Sequence, residues 1–472
     1  LIKAIRKIIF SKKTAIAALL LIGAFFFGFL RLKKAFENDK KGFVIETLSA
    51  FEKVVNFLPM ADDTKKELEV INKLTEVFLS QDGISRKYLL LLQNNMELRP
   101  GGGFLGQYAV AEVKNGEVVS FFIEDANLLD QRITAKVSPP YPFTRMMSIK
   151  KWKFRDSNFS PDFPTNAEKA KYFYRLAGRN SDFDGVIAIN ASVLNNVLKI
   201  TGPVNVPGYG EFNSENAVLK LEEQVEKAYL YNPELDTTNR KAILKKMAPL
   251  IMDKLFSIGN VRKIADFSLG ELNNKDIILN FKDEELQKAV EEVNWAGKVN
   301  QDWQGDYLML VDANMGALKS DYYIKRDIFY QVDLTLPKPQ ARLEYTYTHT
   351  ATHGDWRTSD YHSYLRVYVP LGSNLLERRM VSYPNIQEEF GKTYFGFIAH
   401  TLIGRQTKAE IVYELPESVR ENYKILIQKQ SGVGEIPLKI KIKAEEGEFE
   451  KEITMKEDVR FELKKEIKES KK

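Results

Sequence analysis

The chain has 472 residues, too many for one hydrophobic core, so two or three domains are expected. Its 69 basic and 64 acidic side chains leave a net charge of only +5, and no basic stripe with interleaved aromatics marks a nucleic-acid binder. Cysteine is absent, which excludes disulfides, thiolate metal sites and a cysteine nucleophile.

Residues 1–13 are basic, and Thr14 to Leu30 (TAIAALLLIGAFFFGFL) is an uncharged apolar run of about 17 residues, at the short end for a bilayer span. A signal peptide, a membrane anchor and a buried helix compete for this run. No small-residue cleavage site follows it, and a buried helix rarely carries Lys and Arg at both ends of an all-round apolar run. The run therefore predicts an uncleaved anchor in the bilayer. Basic residues flank both ends, so charge alone barely sets the orientation.

Apolar residues recur at helical spacing over residues 43–58 and 64–79, separated by Pro59 and Asp62-Asp63. They predict a helical hairpin. From Tyr88 to Arg326 strands alternate with helices. Strands are predicted at 88–92, 104–113, 118–123, 185–189 and 307–312, and helices at 166–177, 191–199, 213–229, 238–256 and 283–292. Residues 127–161 lack periodicity and read as an irregular excursion, a common setting for substrate contacts. After Asp327 the pattern is alternating strands such as RLEYTYTH and YLRVYVPL. The expected fold is an α/β/α sandwich with a mixed sheet, preceded by a transmembrane helix and helical hairpin and followed by an all-β sandwich. The expected boundaries are 1–35 for the anchor, 36–81 for the hairpin, 82–326 for the α/β domain, 327–456 for the β-sandwich and 457–472 for a charged tail.

One stretch concentrates functional groups. Gln93 to Tyr108 (QNNMELRPGGGFLGQY) places Asn94, Asn95, Glu97 and Arg99 beside Gly101, Gly102 and Gly103, between two apolar strands. A strand end with a glycine turn can present such groups to a ligand. A tight strand connection with a polar fringe fits the same residues equally well. A second cluster is FRDSNFSPDFP, with Arg155, Asp156, Asn158 and Asp162. Two carboxylates can hold Mg²⁺ and an arginine can clamp a phosphate oxygen, while an Asp/Ser/Pro turn with an ordinary ion pair is the structural alternative. Asp184 stands at the entry to a buried strand, as ligand or turn residue. Asn314, Lys319 and Arg326 follow a strand end and can reach the same rim, or simply cross into the β domain. His349, His353 and His362 match no ligand motif and read as scattered structural histidines. Without a P-loop, GxSxG, HExxH or dinucleotide fingerprint, no organic cofactor is expected.

The spacing Asn94, Glu97, Arg99, Gly102, Gly103, Phe104 resembles the bacterial envelope family known as domain of unknown function 4012. DSNFSPDFP, FDGVIAIN with TGPVNV, the segment Asn314 to Tyr323 and YKILIQKQSG extend the resemblance over roughly residues 85–435. More distantly, the order of elements and the Arg155-Asp156 pair are similar to the LytR-CpsA-Psr phosphotransferases, which move glycopolymers from polyprenyl-pyrophosphate carriers to the cell wall. Two departures stand out: LKLEEQVEK occupies the place of that family's arginine-rich motif, and glycines replace its early Asp motif.

The resemblance implies an extracytoplasmic, membrane-anchored protein that binds, and in the fuller version transfers, a lipid-linked or wall-linked anionic glycopolymer. Arg155 and Asp156 would be catalytic, with Mg²⁺ on Asp156 and Asp162. Asn94, Asn95, Glu97, Arg99, Gly102, Gly103, Asn314 and Lys319 would contact ligand. The rival expectation is a non-catalytic surface scaffold whose β-sandwich meets a partner protein.

Overall fold

Leu89 and Leu91 are fully buried, and Leu90 and Leu92 point to the other side of the same strand. A short run that is apolar on both faces suits the middle of a sheet covered from both sides. In the computed structural model, which describes residues 62–224, 242–255 and 261–464, this run does sit centrally. The anchor run and the first hairpin helix lie outside the described residues, and among those residues no helix is long and apolar enough to cross a membrane.

The described residues divide into two compact units, residues 62–86 with 112–120, and residues 87–111 with those described from 121 to 464. In the first, the helix Asp62–Leu79 matches the second predicted hairpin helix. Nearby, Gln81 Nε2 donates to the Asn115 carbonyl (3.0 Å) and the Gly83 N–H donates to Asn115 Oδ1 (2.8 Å).

Most of a mixed five-stranded sheet of order β3-β2-β1-β4-β7 belongs to the second unit; its strands are β1 (Ser85–Arg99), β2 (Gly102–Lys114), β3 (Glu117–Asp125), β4 (Gly185–Asn190) and β7 (Ile277–Phe281). β1 and β4 are parallel, with Leu91 opposite Ala188, and β4 and β7 are antiparallel. Helix Phe163–Leu176 contributes Ala167, Ala170 and Phe173 to the core shared with Leu89, Leu105, Tyr108 and Val186. A satellite core gathers helices Ser192–Thr201 and Ala242–Leu255 around the small hairpin β5 (Val204–Val206) and β6 (Gly210–Phe212). The excursion at 127–161 contains helices Ala126–Arg132 and Tyr141–Met147 and a short 3-10 turn, Phe154–Asp156.

The rest is β-rich. One six-stranded sheet contains β9 (Ile324–Asp333), β10 (Gln340–His349), β12 (Asn374–Arg379), β15 (Gln406–Glu414), β17 (Ile436–Ala444) and β18 (Gly447–Met455). The other contains β8 (Asp306–Asn314), β11 (Tyr361–Pro370), β13 (Asn385–Glu389), β14 (Lys392–Thr401), β16 (Lys424–Gln428) and β19 (Val459–Glu462). Both sheets face one core that includes Leu310, Tyr330, Leu343, Phe397 and Ile440.

Two expected boundaries move. The strand at 307–312, assigned above to the α/β domain, is β8, which pairs with β11 and β16. Residues 459–462, assigned above to a fraying tail, form β19 and pair with β16. β8 is buried at every position because Leu308 and Leu310 enter the two-sheet core while Tyr307, Met309 and Val311 pack on its other side. Such a strand lacks the alternation that marks a sandwich.

Candidate functional site

The polar stretch after Leu92 is not a loop. β1 continues through it to Arg99. Gly102 turns the chain at φ +132°, and a Cβ on Gly103 would run into the Asn94–Asn95 peptide. The glycines thus serve backbone packing between β1 and β2, with Asn158 Nδ2 donating to the Gly103 carbonyl (2.7 Å).

Arg99 is 1% exposed. It donates to Glu97 Oε1 (2.9 Å) and to the Asn314 carbonyl (2.8 Å), and its Nε stands 3.8 Å from Asp156 Oδ1. Asn314 Nδ2 donates to Asp321 Oδ2 (2.9 Å), which also accepts from the Leu98 N–H (2.9 Å). Arg326 bridges Asp321 Oδ1 (2.5 Å) and Asp312 Oδ2 (2.8 Å), and Tyr345, Tyr347 and Ser363 hydroxyls donate to Asp312. Gln430 closes the seam: it donates to the carbonyls of Arg99 (3.0 Å) and Asp312 (2.8 Å) and accepts from the Asp312 N–H (2.8 Å). Asn95 donates to the Gly432 carbonyl (3.1 Å) and accepts from the Ser192 N–H (3.2 Å).

Three motif segments far apart in sequence therefore meet in one buried polar network that joins the five-stranded sheet to the two-sheet region. Buried charges persist when each has a partner, and here nearly every donor and acceptor is used within the protein. Asn94 turns its side chain to the Met96 N–H. Lys319 Nζ lies 3.5 Å from Glu222 at the edge of this seam.

The second cluster is likewise engaged. Arg155 Nε pairs with the fully buried Asp130 (2.5 Å) and remains partly exposed. Asp156 is pushed up to about 6 by burial, against the pull of Arg99 and Arg155. Asp162 caps helix Phe163–Leu176, accepting from the Thr165 N–H and hydroxyl, and its other oxygen accepts from the Val299 N–H (3.1 Å). The expected Mg²⁺ pair thus has Asp162 occupied by N–H and O–H donors and Asp156 facing arginine. That arrangement does not fit a cation, and no metal-dependent step is drawn through it.

A different place is open. A cavity of about 720 Å³ lies between helices Ser192–Thr201 and Val261–Asn273 and the loop that follows β16. Its wall mixes charged and amide side chains (Asn196, Lys199, Glu271, Asp276 and Lys429) with the apolar Ile200, Phe267 and Val433. Glu271 is 4% exposed. Its Oε1 accepts from Asn196 Nδ2 (2.9 Å), while Oε2 has no partner among the described residues. Burial, reinforced by the nearby Asp276 charge, pushes Glu271 up to about 7, against the Asn196 bond and Lys199. Asp276 accepts from the Ser192 hydroxyl (2.8 Å). Lys429 Nζ donates to the Asn274 carbonyl (2.8 Å), and burial pushes its ammonium down to about 8. Lys275 beneath it donates to Asp458 (2.6 Å) and to the Lys429 carbonyl (3.2 Å).

Perturbed titratable groups in a cleft are a physical mark of a functional site. None of the cavity's carboxylates was singled out in the sequence. Asp266, Glu271 and Asp276 stand on the helix Val261–Asn273 and the turn before β7, neither of which is predicted, and Glu435 stands on the loop after β16. The signal was present: IILNF is a short apolar run bounded by NNKD and KD.

The fold and site define a mixed α/β sheet locked to a β-rich two-sheet region, with a cavity beside the seam that carries charged side chains in its wall. Residues 84–225 match the model of a family described as protein of unknown function, DUF4012, the family that the Asn94 to Phe104 motif resembles. The match runs from β1 to the helix Ala217–Glu222. No curated protein matches the chain. Among solved structures, the chain is similar to the Lin1025 protein of Listeria innocua, at 12% identity over 48% of this chain and 85% of that one, with a TM-score of 0.23.

Proposed function

We propose that the chain is a cell-envelope protein that binds a polar segment of a glycopolymer in the seam cavity. In this reading residues 14–30 anchor it in the membrane, the bulk of the chain is extracytoplasmic, and an α/β/α sandwich and a β-sandwich together form the binding body. The cavity is the observation that carries the reading. Its volume lies within the range of ligand pockets, and its hydrogen-bonding wall suits hydroxyl-rich sugars. Lys199, Glu271, Asp276 and Lys429 set charge into the wall, and burying charge against a polyprenyl tail is costly, so the glycan and not the lipid is the recognised part.

Binding is favoured over transfer. A phosphotransferase of the LytR-CpsA-Psr kind would need arginines free to hold pyrophosphate, whereas Arg99 is buried in the seam and Arg155 is the counterion of Asp130. A second reading, docking of a surface protein on the β-rich region, draws on the exposure of Met380, Tyr383 and Ile386 around β12 and β13.

The test is calorimetric titration of the purified full chain with soluble envelope glycan fragments, beside a Gly270→Trp variant. Gly270 lines the cavity, and a Cβ added there meets open space, so tryptophan fills the cavity without a clash at its base. Saturable binding that is lost in Gly270→Trp is expected. Binding that survives it, in a folded variant, would remove the cavity from the function.

A further inference from the structure

We infer that the seam cavity selects a ligand bearing a primary ammonium group, an amino sugar whose nitrogen is not acylated, and that Glu271 and Asp276 receive that group. The inference rests on the glycan-binding reading above and adds the chemical class of the sugar.

The argument is a local imbalance of charge partners. Glu271 lines the cavity at 4% exposure with an oxygen that no described donor reaches. A second carboxylate, Asp276, lines the same cavity close enough to disfavour its ionisation. Leaving a buried acceptor unmade is costly, more so when it is charged. The cations around the two acids are committed elsewhere. Lys199 donates to Asn196 Oδ1 (2.9 Å), Lys429 to the Asn274 carbonyl, Lys275 to Asp458, and Lys456, also in the lining, pairs with Glu435 (2.8 Å). Lys199 acts on Glu271, and Lys429 on Asp276, only through space, and none of these lysines forms an ion pair with Glu271 or Asp276 among the described residues. A ligand ammonium would supply the missing charge and up to three donors.

A divalent cation fits less well. Such ions take six or more oxygen ligands, several of them carboxylate, and among the described residues no group of three or more acidic or histidine side chains is placed to hold one. An N-acetyl group fits less well too, because it offers a single neutral N–H in place of a charge and up to three donors. The raised Glu271 carboxyl adds a signature. With Glu271 partly protonated near pH 7, an arriving ammonium favours the carboxylate and expels a proton.

The experiment is calorimetric titration of the full chain at pH 7 with a glucosamine tetrasaccharide and with its N-acetylated counterpart. Each is run in two buffers of different ionisation enthalpy, and again with Glu271→Gln and Asp276→Asn. We expect the free amine to bind about tenfold tighter, the factor of one charge-assisted hydrogen bond, with proton release seen as buffer-dependent heat. In Glu271→Gln both the preference and the proton release should collapse, and Asp276→Asn, which leaves Glu271 in place, should weaken the preference. Equal binding of the two sugars to the wild-type chain would overturn the ammonium inference and leave the glycan reading standing. Binding of neither would overturn both. A preference untouched in both variants would overturn the assignment to these acids. Saturable Ca²⁺ binding without sugar, abolished in Glu271→Gln, would show the site to be a cation site instead.

Discussion

Replacing Gln430 by methionine tests the claim that the motif segments build a seam and not a ligand rim. Methionine keeps most of the volume but none of the hydrogen bonds. The change orphans the Arg99 and Asp312 carbonyls and the Asp312 N–H, all in fully buried surroundings. An orphaned buried backbone group costs on the order of 1–3 kcal/mol. Some relaxation around the thioether would blunt the sum, so a loss of about 4 kcal/mol is expected. Urea unfolding of the full chain, read as the shift in midpoint at unchanged slope, measures it. Arg342→Ala, which removes a half-exposed pair on β10, is the comparison and should move stability by less than about 1 kcal/mol. If Gln430→Met lay within about 1 kcal/mol of wild type, the seam would not be held as described, and the motif would be free for another role.

Gly103→Ala should abolish folding and appear as insoluble protein on expression, because its Cβ would overlap the Asn94–Asn95 peptide; soluble, stable Gly103→Ala protein would refute that packing. Arg155→Ala removes the charge partner of fully buried Asp130 and should cost roughly 2 kcal/mol, below the range for a wholly buried pair because Arg155 is partly exposed; Asp130→Asn in the same background should restore most of it in a double-mutant cycle. Stability should also fall as pH rises from 5 to 8. Folded Glu271 keeps its proton to about pH 7, whereas in the unfolded chain it releases it near 4.5. The folded state therefore binds the extra proton between those values, and its advantage is lost as pH passes through 7. Glu271→Gln should flatten this slope, with a wild-type-minus-variant difference of about 3 kcal/mol between the two ends; Asp156 and Asp306, both pushed up to about 6 by burial, add a residual slope that the variant keeps.

Much of the fold was readable along the chain. Alternation in RLEYTYTH matches the buried-then-open pattern of β10, and the apolar run before Gln93 matches the central strand β1. What misled was polar character inside strands. Gln93, Asn95, Glu97 and Arg99 recur at period two, a strand signal in its own right, but their polarity reads as a loop. Their partners explain the conflict. Asn314 stands 215 residues from Arg99, and no local pattern announces that a carbonyl so distant will meet a guanidinium. A lone arginine beside glycines looks like a phosphate clamp until its surroundings are known. The cavity was hidden for a related reason: Glu271 and Asp276 are ordinary surface-type residues in sequence, and nothing local announces that Glu271 is buried against Asn196, 75 residues away, or that the loop after β16 closes the cavity beside them.

That loop has a consequence in time. Gln430 is made 331 residues after Arg99. At about 5–20 residues per second of synthesis, roughly a quarter of a minute to a minute separates the two. Even after β7 completes the strand set of the five-stranded sheet, the Arg99 carbonyl waits for Gln430. Closure waits for residue 430, and a chain broken off before it would carry an open, charged seam permanently. The unfinished product is thereby distinguishable from the finished one at a single surface, the surface that a folding catalyst or a protease would meet first.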